Sequence, residues 1–209
     1  MELTHLGHAC FLVDTGAARL LIDPGVHSRF EELRGLDAVL VTHQHADHVD
    51  VERLRPLLEA NPGAALVVDP DTATAVAGLP RPAVVARPGE RLALGGATVE
   101  VLGDLHADVY ADVPGCTNAA YLVDGGAFLH PGDSFVAPEV SVDVLAVPID
   151  APWLKLAEAV DYVRAVGPRV AVPMHEGETT DPAKLAGMLA AFSPEGVVRR
   201  LAIGEPAAL

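Results

Sequence analysis

Short apolar runs separated by turn residues recur along most of the chain and predict β-strands. Each run has four to six residues, is rich in Val, Leu and Ile, and is bounded mainly by Gly, Pro, Asp or Thr, which is typical of strands in a buried sheet. The predicted strands span residues 2–6, 9–14, 19–23, 37–41, 65–68, 83–86, 98–102, 119–123, 127–130, 142–147 and 169–173. Strands therefore dominate both halves of the chain.

Apolar residues at helical spacing predict one early helix and two late ones. Asp50 is the predicted N-cap of a helix that reaches Ala60, and Pro56 predicts that this helix starts late or bends. The apolar positions of the later helices are Trp153, Leu156, Val160 and Val163 behind Pro152, and Leu185, Met188, Leu189 and Phe192 behind Asp181-Pro182. This order predicts two sheets packed face to face with helices outside, in a single domain of residues 1–209.

The composition predicts a soluble protein with a large core. Hydrophobic residues make up 50% of the 209 residues, and no apolar run approaches the roughly 20 residues that span a bilayer. The N-terminus lacks the basic region and apolar core of a signal peptide, and the two cysteines, Cys10 and Cys116, make no disulfide framework. We therefore expect a cytoplasmic protein with no membrane partner.

The charge balance disfavours nucleic acid as a partner. The chain has 14 basic and 29 acidic residues, which gives a net charge of -15, and its longest basic run is Arg199-Arg200. Nucleic-acid binders usually carry a basic stripe that displaces phosphate counterions. The expected partner is therefore a small-molecule substrate.

A dense cluster of histidines follows the predicted strand at residues 37–41. The segment His43-Gln44-His45-Ala46-Asp47-His48 holds three imidazoles and one carboxylate in six positions, and both groups bind borderline transition metals. In an extended or turning segment His43 and His45 point the same way, whereas the adjacent Asp47 and His48 diverge. One loop could thus supply two neighbouring metal ions, and a binuclear site is the leading interpretation.

Three further donors, His106, Asp133 and His175, each follow a predicted strand. Strand ends are rigid mounts that present side chains into a shared cleft. The same argument places them near the histidine cluster, which would give five histidines and two aspartates in similar positions.

These segments, in this order, resemble the metallo-beta-lactamase fold superfamily. The matching features are the His43 to His48 motif, a lone downstream His106, Gly132-Asp133-Ser134 and Pro173-Met174-His175. Residues 5–11 and 21–24 resemble the opening strands of the ascorbate-6-phosphate lactonase branch of short metal-dependent hydrolases. The resemblance spans nearly the whole chain and implies an α+β fold, the four-layered αββα sandwich.

The resemblance also implies a ligand set of seven residues. It places His43, His45 and His106 on one ion, Asp47, His48 and His175 on the second, and Asp133 between them as a bridge. Asp47 and Asp133 would be the catalytic residues. The implied cofactors are two divalent metal ions, Zn²⁺ by preference, with Mn²⁺ or Fe²⁺ also compatible with imidazole and carboxylate ligands.

Such a site activates water, and the expected nucleophile is a metal-bridging hydroxide. The preferred hypothesis is a hydrolase that cleaves a lactone, ester or amide bond of a small metabolite. Two alternatives stay open: a small-molecule phosphodiesterase on the same site, and a metal-binding module without turnover.

Five other polar or aromatic residues each have two interpretations, one functional and one purely structural. His8 and Asp23 could orient ligands by hydrogen bonding, or could simply be polar residues at strand ends. His130 could line the site, although a role at a strand end is favoured; Trp153 could wall the pocket, although helix packing is favoured. Asn118 could contact substrate or begin a strand.

Overall fold

Two mixed β-sheets lie face to face in the structure, a computed structural model that describes residues 1–103, 105–111, 113 and 115–209. The strands of the first sheet are β1 (Glu2–Gly7), β2 (Cys10–Asp14), β3 (Arg19–Ile22), β4 (Ala38–Val41), β5 (Ala65–Val68), β6 (Val84–Val85) and β13 (Pro206–Ala208). Those of the second are β7 (Arg91–Leu94), β8 (Ala97–Leu102), β9 (Ala120–Val123), β10 (Phe128–His130), β11 (Val144–Pro148) and β12 (Val170–Met174). Within the described residues, the spatial orders are β13-β1-β2-β3-β4-β5-β6 and β12-β11-β10-β9-β8-β7.

The central core fills the space between the sheets. Side chains that alternate along the strands of both sheets point into it, with Phe11 from β2 packed edge to face against Phe128 from β10. Tyr121 of β9 crosses this layer, and its buried hydroxyl donates a hydrogen bond of 2.7 Å to the carbonyl of Val41 at the end of β4. Burial raises the pKa of Tyr121 well above its ordinary value, so this hydroxyl stays protonated and keeps its donor.

Helices cover the outer face of each sheet. The helices α1 (Val51–Ala60) and α2 (Thr72–Ala75) contribute to the apolar cluster on the first sheet, and α3 (Leu156–Val166) and α4 (Pro182–Phe192) contribute to the one on the second. The layers are therefore helix, sheet, sheet and helix, which confirms the predicted α+β sandwich. Among the described residues, no helix has both the length and the apolar character needed to cross a membrane.

The predicted helix starts are partly right. Asp50 is the N-cap of α1, and its side chain accepts from the Arg53 amide, but the helix begins at Val51 and not late. Pro56 is exposed within it, so the Glu52 carbonyl that loses its helical partner can be solvated. The prediction that Trp153 is a position of the third helix is wrong, because α3 starts only at Leu156.

The sequence pattern missed three short elements, β7, α2 and β13. The strand β13 has three residues, begins with a proline and pairs antiparallel with β1 at the sheet edge, where a proline is tolerated. None of these elements is long enough to show a period in the sequence. The strands that carry the predicted donors were found. The strands β4, β8, β10 and β12 end two, four, three and one residues before His43, His106, Asp133 and His175 respectively.

Candidate metal centre

The loop after β4 brings its histidines to the edge of the first sheet. His43 and His48 are fully buried, whereas His45 is exposed. The loop folds back on itself, because the amides of His48 and Val49 both donate to the His45 carbonyl. This turn separates the side chains of the loop into two groups, His43 with His45 and Asp47 with His48. The first pair is as predicted, whereas Asp47 and His48 do not diverge, because the turn ends the alternation.

Two clusters of potential metal donors result, each with donor atoms within 4.8 Å of one another. The first contains His43, His45, His106 and Asp133, and the second contains His8, Asp47, His48 and His175. The structure therefore brings together all seven residues predicted from the sequence, and it adds His8.

Asp133 lies between the two clusters. Its carboxylate oxygens are 3.3 Å from Nε2 of His106 and 3.9 Å from Nε2 of His43 in the first cluster. They are also 3.1 Å from Nε2 of His48 and 3.2 Å from Nε2 of His175 in the second. This is the placement expected of a carboxylate shared by two neighbouring ions.

Three of these histidines present an unused nitrogen to the centre. Nδ1 of His48 is 2.6 Å from Asp23, and Nδ1 of His106 and His175 are 2.6 and 2.5 Å from the carbonyls of Ala107 and Asp150. An acceptor at Nδ1 keeps the proton of the neutral ring there and leaves the Nε2 lone pair free.

These lone pairs fit a metal ion. Within the described part of the chain, the Nε2 atoms of His48, His106 and His175 and Oδ1 of Asp133 are buried without a hydrogen bond of acceptable geometry. Buried polar atoms without partners are costly, and here the three Nε2 atoms all lie within 3.3 Å of the Asp133 carboxylate. Imidazole and carboxylate donors aimed in this way suit a divalent transition metal.

The electrostatics of the centre also favour a cation. Burial by itself would lower the pKa of His48, but the charges of Asp133 and Asp23 outweigh it and raise that pKa well above its usual value. Burial also opposes the shift at His175, where Asp133 and Asp47 raise the pKa to about 9. Protons and metal ions compete for the same imidazole nitrogens, so the carboxylates that attract one also attract the other.

Asp133 is ionised and held by neighbours that the sequence did not reveal as its partners. Burial would raise its pKa, but the nearby charge of His48 lowers that pKa well below the ordinary range. The Asp133 amide donates to Oδ1 of Asn118 at 3.0 Å, and the indole N–H of Trp153 donates to Oδ2 of Asp133 at 3.1 Å. Trp153 therefore supports the centre as well as packing against Phe135.

Two adjoining pockets open over the centre. Their volumes are about 520 Å³ and about 260 Å³, and His45, His106 and Val109 line both. Outside the clusters, the charged side chains among the described lining residues are acidic, with Asp71 in the larger pocket and Glu178 in the smaller one. Such a cleft can hold a small substrate against the metal donors.

A family model described as a beta-lactamase superfamily domain matches residues 2–175, which is most of the chain and includes the predicted ligands. The chain belongs to the beta-lactamase superfamily.

Relatives within the superfamily cover most of the chain. Protein Rv0786c of Mycobacterium tuberculosis is 48% identical over 84% of this chain and 84% of its own length. A protein of Anaeromyxobacter sp. (strain K), named UPF0173 metal-dependent hydrolase, is 31% identical over 99% of this chain and 86% of its own. A solved structure, the metallo-beta-lactamase fold protein YhfI of Bacillus subtilis, has a TM-score of 0.76 at 18% identity and covers 99% of both chains.

These comparisons confirm the predicted superfamily and its fold. The finer resemblance to the ascorbate-6-phosphate lactonase branch stays a prediction.

Two of the residues that have two interpretations in the sequence, His130 and Asn118, are buried beside the site. His130 belongs to neither donor cluster; it is fully buried, and its Nε2 donates to the Ala9 carbonyl at 2.8 Å. Asn118 is also buried, where its amide donates to the Pro131 carbonyl and orders the Asp133 loop.

Asp23 fixes the orientation of the His48 ring. It is fully buried and accepts hydrogen bonds from Thr42 N at 2.8 Å, Thr42 Oγ1 at 2.7 Å and His48 Nδ1 at 2.6 Å. Its backbone has a φ of 51°, a conformation that asparagine tolerates well.

We expect Asp23→Asn to weaken metal binding roughly 10-fold to 100-fold, because the charge that fixes the His48 ring is lost. Competition with a chromophoric chelator measures this affinity. Asp14→Asn, at a surface carboxylate near Arg19, is the matched control. Wild-type affinity in the Asp23 variant would argue against the orienting role.

Proposed function

We propose that this protein is a metal-dependent hydrolase that holds two divalent ions and cleaves a lactone, ester or amide bond of a small metabolite. The enzyme class is the one carried by the relative named as a metal-dependent hydrolase. The observation that supports the finer proposal is the pair of donor clusters that meet at Asp133.

In this proposal each ion has its own set of ligands. His43, His45 and His106 hold the first ion, and Asp47, His48 and His175 hold the second; Asp133 contacts both. Zn²⁺ is the preferred ion, and Mn²⁺ or Fe²⁺ also suits these donors. When bound, such a pair supplies Lewis acidity, which makes water nucleophilic near neutral pH and polarises a carbonyl oxygen.

The side chains of the chain orient the reaction. Asp47 lines the smaller pocket, and its side chain is 23% exposed, so its carboxylate can accept a hydrogen bond from the attacking water. Asp133 is almost fully buried and lies within 3.3 Å of a histidine Nε2 in each ligand set. Trp153, which also lines the smaller pocket, packs its ring edge to face against the rings of His106 and His175, with centroids 5.7 and 6.3 Å away.

The pocket walls favour an uncharged acyl substrate over a phosphate ester. Val109 and Val113 line the larger pocket, and Val26 and Trp153 line the smaller one, so an apolar substituent can be buried there. Asp71 and Glu178 add negative charge to the walls, and the whole chain carries -15. This field opposes the approach of an anion.

A substrate panel tests the proposal. Protein reconstituted with Zn²⁺, Mn²⁺ or Fe²⁺ is assayed on γ- and δ-lactones, p-nitrophenyl esters, anilides and bis-p-nitrophenyl phosphate. We expect kcat/KM on a lactone, ester or amide to exceed that on the phosphodiester at least about tenfold, with activity lost on chelation and restored by metal.

Other outcomes identify the alternatives. Preferential hydrolysis of the phosphodiester would support a phosphodiesterase instead. Tight binding of two ions per chain without turnover on any member of the panel would indicate a metal-binding module.

A further inference from the structure

His8 lies in the turn between β1 and β2, at the edge of the second donor cluster. Its ring is 1% exposed, and Nε2 is 3.0 Å from Oδ2 of Asp47. The ring centroid is 4.0 Å from that of His175. By distance alone His8 could be a fourth ligand of the second ion.

The hydrogen bond at the other ring nitrogen gives His8 a different role. The Gly177 backbone amide donates to Nδ1 of His8 at 2.8 Å. A backbone amide can only donate, so Nδ1 must carry a lone pair and the ring proton must sit on Nε2. His48, His106 and His175 have the opposite arrangement, because their Nδ1 atoms face acceptors.

We propose that His8 is a positioning residue that donates its Nε2–H to Asp47 and fixes this carboxylate for the second ion, an inference that rests on the proposed function. Asp47 Oδ2 has one lone pair for this hydrogen bond and another for an ion. Asp47 lies between exposed Ala46 and buried His48, and its side chain is 23% exposed, so a partner from outside the loop is needed to fix its rotamer. His8 supplies that partner from a buried turn.

The His8 turn is itself fixed to the end of β12. The His175 amide donates to the His8 carbonyl at 2.9 Å, and Nε2 of His5 donates to the same oxygen at 2.8 Å. A Cβ at Gly177 would lie 2.8 Å from Nδ1 of His8, so only glycine allows this approach. The segment after β12 therefore carries His175 and also holds His8, the donor to Asp47, in position.

Two variants separate a donor from a ligand. His8→Gln and His8→Leu both remove the Nδ1 atom that accepts from the Gly177 amide, and neither is branched at Cβ, which matters at a backbone φ of 52°. Only glutamine keeps an N–H that can reach Asp47. We measure bound Zn²⁺ by elemental analysis, Zn²⁺ affinity by chelator competition, and thermal unfolding of the metal-free proteins as a check on folding.

We expect both variants to hold the wild-type number of Zn²⁺ ions at saturation. His8→Leu should weaken binding of one ion roughly 10-fold to 100-fold, and His8→Gln should stay within a few-fold of wild type. Loss of one ion in both variants would make His8 a ligand and overturn the proposal. Equal affinities in the two variants would overturn it as well.

The tautomer is tested directly in the wild-type protein. Long-range ¹H–¹⁵N spectra of the Zn²⁺-loaded protein should show one buried ring protonated at Nε2 that disappears in His8→Gln. A His8 ring protonated at Nδ1 would overturn the proposal. Absence of Zn²⁺ binding by the wild type would instead refute the proposed function, together with the role that depends on it, so the two failures are distinguishable.

Discussion

Replacement of Asp133 by alanine is expected to lower kcat/KM by at least about 1000-fold, equivalent to about 4 kcal/mol of transition-state stabilisation. Asp133 is the carboxylate that contacts both donor clusters, with oxygens 3.1 Å from His48 and 3.3 Å from His106. In the proposed site, its loss would remove the ligand shared by the two ions. Bound metal, measured by elemental analysis, should fall by at least one ion per chain.

Two companion variants make the result specific. Asp133→Asn keeps the shape and an acceptor for Trp153 but removes the charge, so it should also lose metal. Asp143→Ala removes an exposed carboxylate that pairs with Arg169, and it should leave activity unchanged within about twofold. Wild-type metal stoichiometry in Asp133→Ala would contradict the assignment of this ligand.

Replacement of Gly25 by alanine is expected to displace the loop of residues 43–48, although Gly25 itself is not one of the candidate donors. A Cβ at this position would lie 1.8 Å from the carbonyl oxygen of Asp47 and 2.6 Å from the amide nitrogen of His48. Backbone atoms cannot yield as a flexible side chain can, so the loop itself must move. The neighbouring Val26 amide, which donates to Ala46 at 2.9 Å, would be displaced with it.

We expect Gly25→Ala to lower the free energy of unfolding of the metal-free protein by about 3 kcal/mol or more, and to reduce bound metal. Urea denaturation and elemental analysis measure the two effects. Gly63→Ala is the matched control, because nothing lies within 4 Å of its Cβ position, and it should change stability by less than about 0.5 kcal/mol. Wild-type stability and metal content in Gly25→Ala would show that the loop does not depend on this close contact.

Much of the fold could be predicted because its strands are short, apolar and separated by turns. The strand β5 has the predicted bounds, α1 has the predicted N-cap Asp50, and α4 begins at the predicted Asp181-Pro182 start. The predicted start of α3 is wrong because Trp153 lies three residues before Leu156, which is helical spacing. Trp153 precedes the helix, and its indole N–H donates to Asp133. The single domain and the cytoplasmic location stay predictions.

The candidate ligands could be predicted because residue type and order along the chain are enough to match the superfamily motifs. Most of their hydrogen-bond partners could not, since these come from other segments of the chain. Trp153 and Asp133 are 20 residues apart, and His8 and Gly177 are 169 residues apart. No local pattern indicates which nitrogen of a histidine will meet a donor and which an acceptor.

The amino-acid sequence alone indicated the donor types, their places after strands and the membership of a superfamily. It did so because imidazole and carboxylate have intrinsic affinity for metal ions and because apolar periodicity specifies sheets. Only the tertiary structure decided that Asp133 lies between two clusters and that the His8 ring faces a donor, which makes it a partner of Asp47. Hydrogen-bond direction depends on the group at the far end of each bond, and folding alone brings that group into place.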